Sequence, residues 1–223
     1  MLKKKYVIIP AGGRGVRMGG EIPKQFLEIC GKPILRHTVE KFLEADEDIM
    51  VVIAIPSDFR KYWKDYSRTS GFLDRYILAE GGITRFHSVQ NALRYVEDGS
   101  IVAVHDAVRP LAGTDFIRRL FEEAETSPAV VPALSVVDSL REISGSGSVP
   151  VDRSRFVAVQ TPQVFRSDIL KAAYGQAYSQ VFTDDASVVE AYGCAIKLVP
   201  GERANIKITT REDLLLASAL LGS

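Results

Sequence analysis

Residues 6–25 read YVIIPAGGRGVRMGGEIPKQ. The apolar run Tyr6-Val7-Ile8-Ile9 predicts a buried strand, and Pro10 closes it. Small residues follow at Ala11, Gly12, Gly13 and Gly15, then at Gly19 and Gly20. A backbone with so few side chains turns sharply and approaches a ligand closely, so its N–H groups can face an anion. Arg17 and Lys24 add fixed and mobile positive charge. A strand feeding a glycine loop with two cations predicts a site for a polyphosphorylated ligand.

Two common phosphate motifs do not fit this loop. A P-loop needs Gly-x-x-x-x-Gly-Lys-Ser/Thr, whereas Lys24 precedes Gln25 and follows no glycine. A dinucleotide fingerprint needs a third glycine or alanine, but Gly13-Arg14-Gly15-Val16-Arg17 runs into Met18. What remains is Gly-x-Gly-x-Arg-Met followed by Pro23-Lys24-Gln25.

The rest of the chain narrows the class. With 223 residues, 46% apolar and 25% charged, the composition is that of a soluble globular protein with a real core. The formal net charge is zero, so there is no global pull toward nucleic acid or anionic membrane, and any anion site must be local. Lys3-Lys4-Lys5 resembles the start of a signal peptide, but the apolar run after it ends at Pro10. No stretch approaches the ~18 apolar residues of a membrane span. His37, His87 and His105 are scattered, which disfavours zinc. Cys30 and Cys194 have no metal-type spacing and are expected to be buried free thiols in a reducing cytosol.

Strand-like and helix-like segments alternate. Ile49–Ile55, Ile101–His105 and Ala129–Leu134 are apolar runs suited to strands covered on both faces. Between them, Leu35, Val39 and Phe42 form one helical stripe, and Phe86, Val89, Leu93 and Val96 another. Phe116, Ile117, Leu120, Phe121 and Ala124 form a third, with Thr114 as its expected cap. Thr210 and Asp213 suggest a capping box for a last helix whose Leu214, Ala217, Ser218 and Leu221 share a face. This pattern predicts one α/β domain over 1–223, with helices on both faces of the sheet and ligands beyond the C-terminal strand ends. Residues 135–155 break the rhythm. Two short segments around Gly145-Ser146-Gly147-Ser148 predict a projecting hairpin arm.

Further candidates stand after the other strands. Asp106 follows the run at 101 and is placed either to meet a ligand or Mg²⁺ through oxygen, or to form a turn. His105 reads as a core histidine. Gly81-Gly82 before a helix would expose N–H groups at its positive end, with Arg85 and Ser88 one turn apart and able to face one ligand. Thr161-Pro162-Gln163, Thr183 to Ser187 and Asn205 to Thr209 are each ambiguous alone. The acids at 184 and 185 read as helix caps, and 205–209 as the end of the sheet region.

Taken together, PAGGRGVRM, PKQFL, GGxxRxxSV, HDAVRP, DR, TPQVF, TDDAS and NIKITT occur here in order. This set resembles the 2-C-methyl-D-erythritol 4-phosphate cytidylyltransferase family over about residues 6–221. The resemblance implies a Rossmann-like nucleotidyltransferase domain with a mostly parallel central sheet. It implies transfer of CMP from CTP to a polyol phosphate, with pyrophosphate released. Arg17, Lys24 and Asp106 would be catalytic, and Mg²⁺ would bridge phosphates with Asp106 as its protein ligand or as a substrate contact. Pro10, Ala11, Gly12, Gly13, Gly82, Ser88 and Ala107 would face the nucleotide. Arg109, Ser139, Arg153 and Lys207 would meet the acceptor. The arm at 135–155 would cross to a partner in a cytoplasmic homodimer.

Two positions depart from the family pattern: Ser139 where threonine is common, and Ile83 where aspartate is common. Ribitol-5-phosphate cytidylyltransferase is the alternative, since it shares most of these motifs. The broken fingerprint disfavours a nicotinamide-dependent oxidoreductase. A nucleotide-binding module without turnover is the third reading.

Overall fold

The structure, a computed structural model, describes residues 3–13, 22–72 and 76–222. Arg17 and the glycines at 15, 19 and 20 lie outside the described residues.

The core is an eight-stranded sheet. Its parallel half consists of β1 (Lys5–Pro10), β4 (Met50–Ile55), β5 (Ile77–Glu80) and β6 (Ile101–Val104), in the order β6-β1-β4-β5. Two small strands, β2 (Glu28–Ile29) and β3 (Lys32–Pro33), pair with each other outside this sheet. Beyond β6 lie β11 (Gln163–Arg166) and β7 (Ala129–Ser135). On its β11 side β7 also pairs with β10 (Val157–Val159), and on its other side with β12 (Lys197–Pro200). Only β10 and β11 run against the other strands, so the sheet is mixed but mostly parallel.

Helices cover both faces, which is why the strands are continuously apolar. On one face α1 (Ile34–Ala45), α2 (Ser57–Thr69) and α4 (Thr114–Thr126) pack Leu35, Phe42, Trp63 and Leu120 on Val7, Ile53 and Ala103. On the other, α3 (Arg85–Ala92), α5 (Ser167–Ala173) and α6 (Asp185–Ala191) pack Val89, Leu170 and Val188 on Ile8, Val52 and Val104. Burying each such side chain is worth about 1.5–3 kcal/mol. The last helix, α7 (Arg211–Leu221), sets Leu214, Ala217 and Leu221 against Ile29, Ile34 and Ile208. Its start is the predicted capping box of Thr210 and Asp213.

Several expectations are corrected. Gly113, not Thr114, caps α4, and the Gly113 N–H donates to the Glu202 carboxylate at 3.0 Å. The stripe from Phe86 to Val96 is one buried face, but α3 ends at Ala92 and a 3₁₀ turn over Leu93–Tyr95 carries the rest. Residues 205–209 form no strand; the sheet's last strand is β12. Both cysteines are free, but Cys30 is exposed and Cys194 only half-buried.

The hairpin forms as expected, from β8 (Leu140–Ser144) and β9 (Gly147–Val151), with a tip shortened to Gly145 and Ser146. Gly145 has φ +57°, a backbone state that favours glycine. The hairpin's Ile143 and Val149 are exposed, as are Phe156, Val157 and Val159 at its base.

Candidate active site

A cleft of about 760 Å³ opens where β1, β4 and β6 end. Of the residues singled out from the sequence, Pro10, Ala11, Gly12, Gly13, Lys24, Gly81, Gly82, Arg85, Ser88, Asp106, Ala107 and Lys207 line it. They arrive from five separate segments of the chain. Arg109 stands behind Asp106 rather than on the cleft wall. Ser139 and Arg153 are exposed on the arm and are not among the residues lining the cleft. There the Arg153 guanidinium donates to the Val137 carbonyl. Ser57 and Asp58, at the start of α2, also line the cleft and were not anticipated.

The first wall is the glycine loop. The Ala11 N–H donates to Ala54 O at 2.8 Å, so the backbone continues the sheet for one residue beyond β1. The buried Gln25 amide then donates to Ala11 O at 2.7 Å and Gly13 O at 3.2 Å. Gln25 is placed by its neighbour Phe26, whose ring lies 5.5 Å from Phe59 and 6.1 Å from Trp63. Lys24 starts the same 3₁₀ turn, and its ammonium donates to Ile208 O at 3.0 Å. Gln25 thus takes two carbonyls of the loop and fixes the path of its backbone along the cleft.

The second wall is the turn before α3. A Cβ on Gly81 would come within 2.8 Å of the Pro56 nitrogen, and one on Gly82 within 2.3 Å of His87 Cβ. Both positions therefore require glycine because the backbones pass so closely. The Ser88 hydroxyl accepts from the Gly82 N–H at 3.0 Å and donates to Thr84 O at 3.0 Å. Its proton is thus committed to the turn, and a lone pair is what it retains for a ligand.

Asp106 sits among three cations. Lys207 Nζ lies 3.0 Å and Arg109 Nε 3.1 Å from Oδ2, and Arg85 Nε lies 3.8 Å from Oδ1. Burial would raise its pKa, but the charges of Arg85, Lys207 and Arg109 outweigh this and hold the carboxyl well below the usual carboxylate range. The cluster carries an excess of positive charge on a partly enclosed wall, which suits an anionic ligand. Lys207 is about half exposed and can reach one.

Arg85 was read as facing a ligand together with Ser88. Both line the cleft, Arg85 with about a third of its side chain exposed, and its guanidinium is also bidentate to Asp185, at 2.9 and 2.5 Å. Asp185 is fully buried and was read as a capping acid; the capping falls to Asp184 alone. The sequence signal was available, since an aspartate directly after a capping aspartate is redundant as a cap.

His105 is a core residue, as expected. Burial pushes its imidazole down to about 4, so it is neutral. Nε2 donates to Arg109 O at 3.0 Å, and Nδ1 accepts from the Thr161 hydroxyl at 3.1 Å. The Thr161 oxygen accepts from the Asp106 N–H at 3.0 Å. Asn205 closes the set: its amide donates to Thr161 O at 2.8 Å, and its carbonyl accepts from Arg109 at 2.8 Å. Gln163 extends it to α6, donating to Asp184 and accepting from the Ala186 N–H. The motifs that were ambiguous alone are therefore the struts that fix Asp106.

Among the described residues, no three His, Cys, Asp or Glu side chains are grouped to hold a metal by themselves. Among the described residues, Asp58 and Asp106 are the carboxylates on the cleft wall. The residues fit Mg²⁺ in the way nucleotide-dependent enzymes usually hold it, through one carboxylate plus substrate phosphate oxygens.

The model of the 2-C-methyl-D-erythritol 4-phosphate cytidylyltransferase family matches residues 5–223. The chain belongs to this family. A relative of that name from Bacteroides thetaiotaomicron is 48% identical over 218 residues, spanning 98% of this chain and 100% of its own length. One from Porphyromonas gingivalis is 46% identical over 224 residues, 100% of both chains. The crystal structure of the Francisella tularensis 2-C-methyl-D-erythritol 4-phosphate cytidylyltransferase superposes with TM-score 0.81 at 33% identity, covering 97% of this chain and 99% of that one. The match spans the sheet, the arm and all the cleft segments, so the expected Rossmann-like cytidylyltransferase fold holds for the whole chain.

Proposed function

We infer that this protein transfers CMP from CTP to 2-C-methyl-D-erythritol 4-phosphate, forming 4-diphosphocytidyl-2-C-methyl-D-erythritol and pyrophosphate for isoprenoid synthesis. The observation that carries the reading is the convergence of the glycine loop, Lys24, Asp106 and Lys207 on one cleft in a chain of this family.

The chemistry needs little from a general base. The attacking phosphate oxygen of the acceptor is already anionic. It bonds to the α-phosphorus of CTP, the bond from that phosphorus to the bridging oxygen breaks, and pyrophosphate leaves with the electron pair. The barrier lies in bringing two anions together and in stabilising charge on the α-phosphoryl oxygens, so positioning and electrostatics dominate. Lys24, with Arg17, holds the triphosphate and stabilises the pentacoordinate transition state. The backbones at Pro10 to Gly13, Gly82 and Ala107, with the Ser88 hydroxyl, enclose the nucleoside. Lys207 faces the reacting phosphates, and Arg109 braces Asp106 beside the acceptor. When bound, Mg²⁺ neutralises phosphate charge, and Asp106 is the residue that would hold it.

The acceptor's phosphate needs a further cation, and Arg153, with Ser139, supplies it from the arm of a second subunit. What supports a homodimer through residues 135–155 is apolar surface. Ile143 is 78% exposed in the single chain, and β10 has β7 as its one paired neighbour among the described residues. The cytoplasm is the expected compartment, since CTP is found there. No helix of the described residues is long and apolar enough to cross a membrane.

Pyrophosphate release with CTP and Mg²⁺ tests the assignment. Turnover with 2-C-methyl-D-erythritol 4-phosphate and none with ribitol 5-phosphate is the expected result. Turnover with ribitol 5-phosphate alone would transfer the same cleft to the alternative acceptor, which the relatives' names do not favour.

A further inference from the structure

The Arg85 guanidinium lies between two carboxylates. Nη1 and Nη2 bind Asp185, and Nε faces Oδ1 of Asp106 at 3.8 Å. Asp185 is fully buried and takes a third contact from the Tyr174 hydroxyl at 2.6 Å. The Tyr174 ring in turn stacks on Phe86, with centroids 4.7 Å apart. The guanidinium is thus fixed from behind by α6 and by the end of α5. It lines the cleft with about a third of its side chain exposed, but a phosphate that drew it off Asp185 would strip a buried carboxylate of its counter-charge. Its Nε is on the side of Asp106. Lys207 and Arg109 both act on Oδ2 of that carboxylate, whereas Arg85 acts on Oδ1. Cations on both oxygens fix the rotation of the carboxylate plane, which two contacts on one oxygen leave open.

We propose that Arg85, anchored by Asp185 and Tyr174, is a positioning residue for cytidylyl transfer that holds the Asp106 carboxylate in its working orientation. The proposal rests on the transferase reading of the cleft. It differs from a purely structural role for the ion pair, which would stiffen the fold without acting through Asp106.

The test is a set of variants assayed under single-turnover conditions with CTP, Mg²⁺ and 2-C-methyl-D-erythritol 4-phosphate. Arg85→Gln combined with Asp185→Asn removes both charges together and leaves no buried charge alone. It should lower the transfer rate about tenfold in the wild-type background and less than about twofold in an Asp106→Asn background, since coupled residues are not additive. Arg85→Lys keeps the charge but cannot bridge two carboxylates. It should show the same loss in coupling, and it serves if the double variant does not fold. Equal losses in both backgrounds, or none in the wild-type background, would overturn the proposal. A wild-type protein that releases no pyrophosphate would overturn the transferase reading and this proposal with it, whereas an active wild type with additive losses overturns the proposal alone.

Discussion

The side-chain amide of Gln25 lies 2.7 Å from the carbonyl oxygen of Ala11, 14 residues earlier, and this contact turns a glycine-rich segment into one wall of the cleft. Gln25→Leu keeps the volume and removes the donor. Leaving a buried carbonyl unpaired costs about 1–3 kcal/mol. The loop should loosen, and KM for CTP should rise about tenfold, the equivalent of about 1.4 kcal/mol. Steady-state kinetics alongside a thermal melt will check this. An unchanged KM would mean that the loop is held without the clamp.

Two glycines are predicted to behave differently. Gly82→Ala places a Cβ 2.3 Å from His87 Cβ and 2.6 Å from the His87 carbonyl carbon, so the turn before α3 must shift. Both the melting temperature and CTP binding should suffer. Gly13→Ala meets nothing within 4 Å. Its melt should match wild type, and weaker CTP binding would then report close approach of the ligand to that backbone. A Gly13 variant that binds CTP normally would remove this residue from the nucleotide contact.

Lys24→Ala should lower kcat about 10²–10³-fold, the cost of one lost charged contact in a transition state, while moving the melt little. Rate measurements with CTP saturating will decide it, since a change confined to KM would make Lys24 a binding residue only. Arg17→Ala carries the same expectation from the sequence.

Arg153→Ala should raise KM for the acceptor and leave that for CTP unchanged. If the arm serves the neighbouring subunit, mixing the impaired Lys24→Ala and Arg153→Ala proteins restores part of the activity at limiting acceptor, because one site of each mixed dimer is intact. No recovery after subunit exchange would place Arg153 at its own chain's site or at neither.

His105 gives a pH dependence of stability. Its folded pKa is lowered from 6.5 to about 4 by burial, so the unfolded chain binds more protons in that interval. The contribution is fully present above about pH 6.5 and is lost as pH falls toward 4, amounting to about 3 kcal/mol for a shift of this size. Urea unfolding at pH 7 and pH 4.5 should show the loss in wild type and a smaller one in His105→Asn.

The site was legible to different depths. Gly12, Gly13 and Lys24 could be selected in the sequence because anion binding needs small residues and cations near strand ends, whereas Asp106 and Lys207 were selected through the family resemblance. Gln25, Thr161 and Asn205 stood inside the motifs that were read, yet their parts were hidden. A hydrogen bond between residues 44 positions apart, such as Asn205 to Thr161, leaves no local periodicity to read. The pairing of Arg85 with Asp185 was hidden for the same reason: an acid at a helix start and an arginine after a glycine turn each have an ordinary local explanation.

By itself, the sequence determined the α/β alternation, the apolar strands and the glycine loop, since hydrophobic period and backbone freedom are local properties. It also determined the projecting arm, whose scarcity of apolar residues forbids a core of its own. Only the tertiary structure decided which cations pair with which carboxylates. Ion pairing depends on distances of 3–4 Å between segments separated along the chain, and those distances exist only once the sheet has brought the segments together.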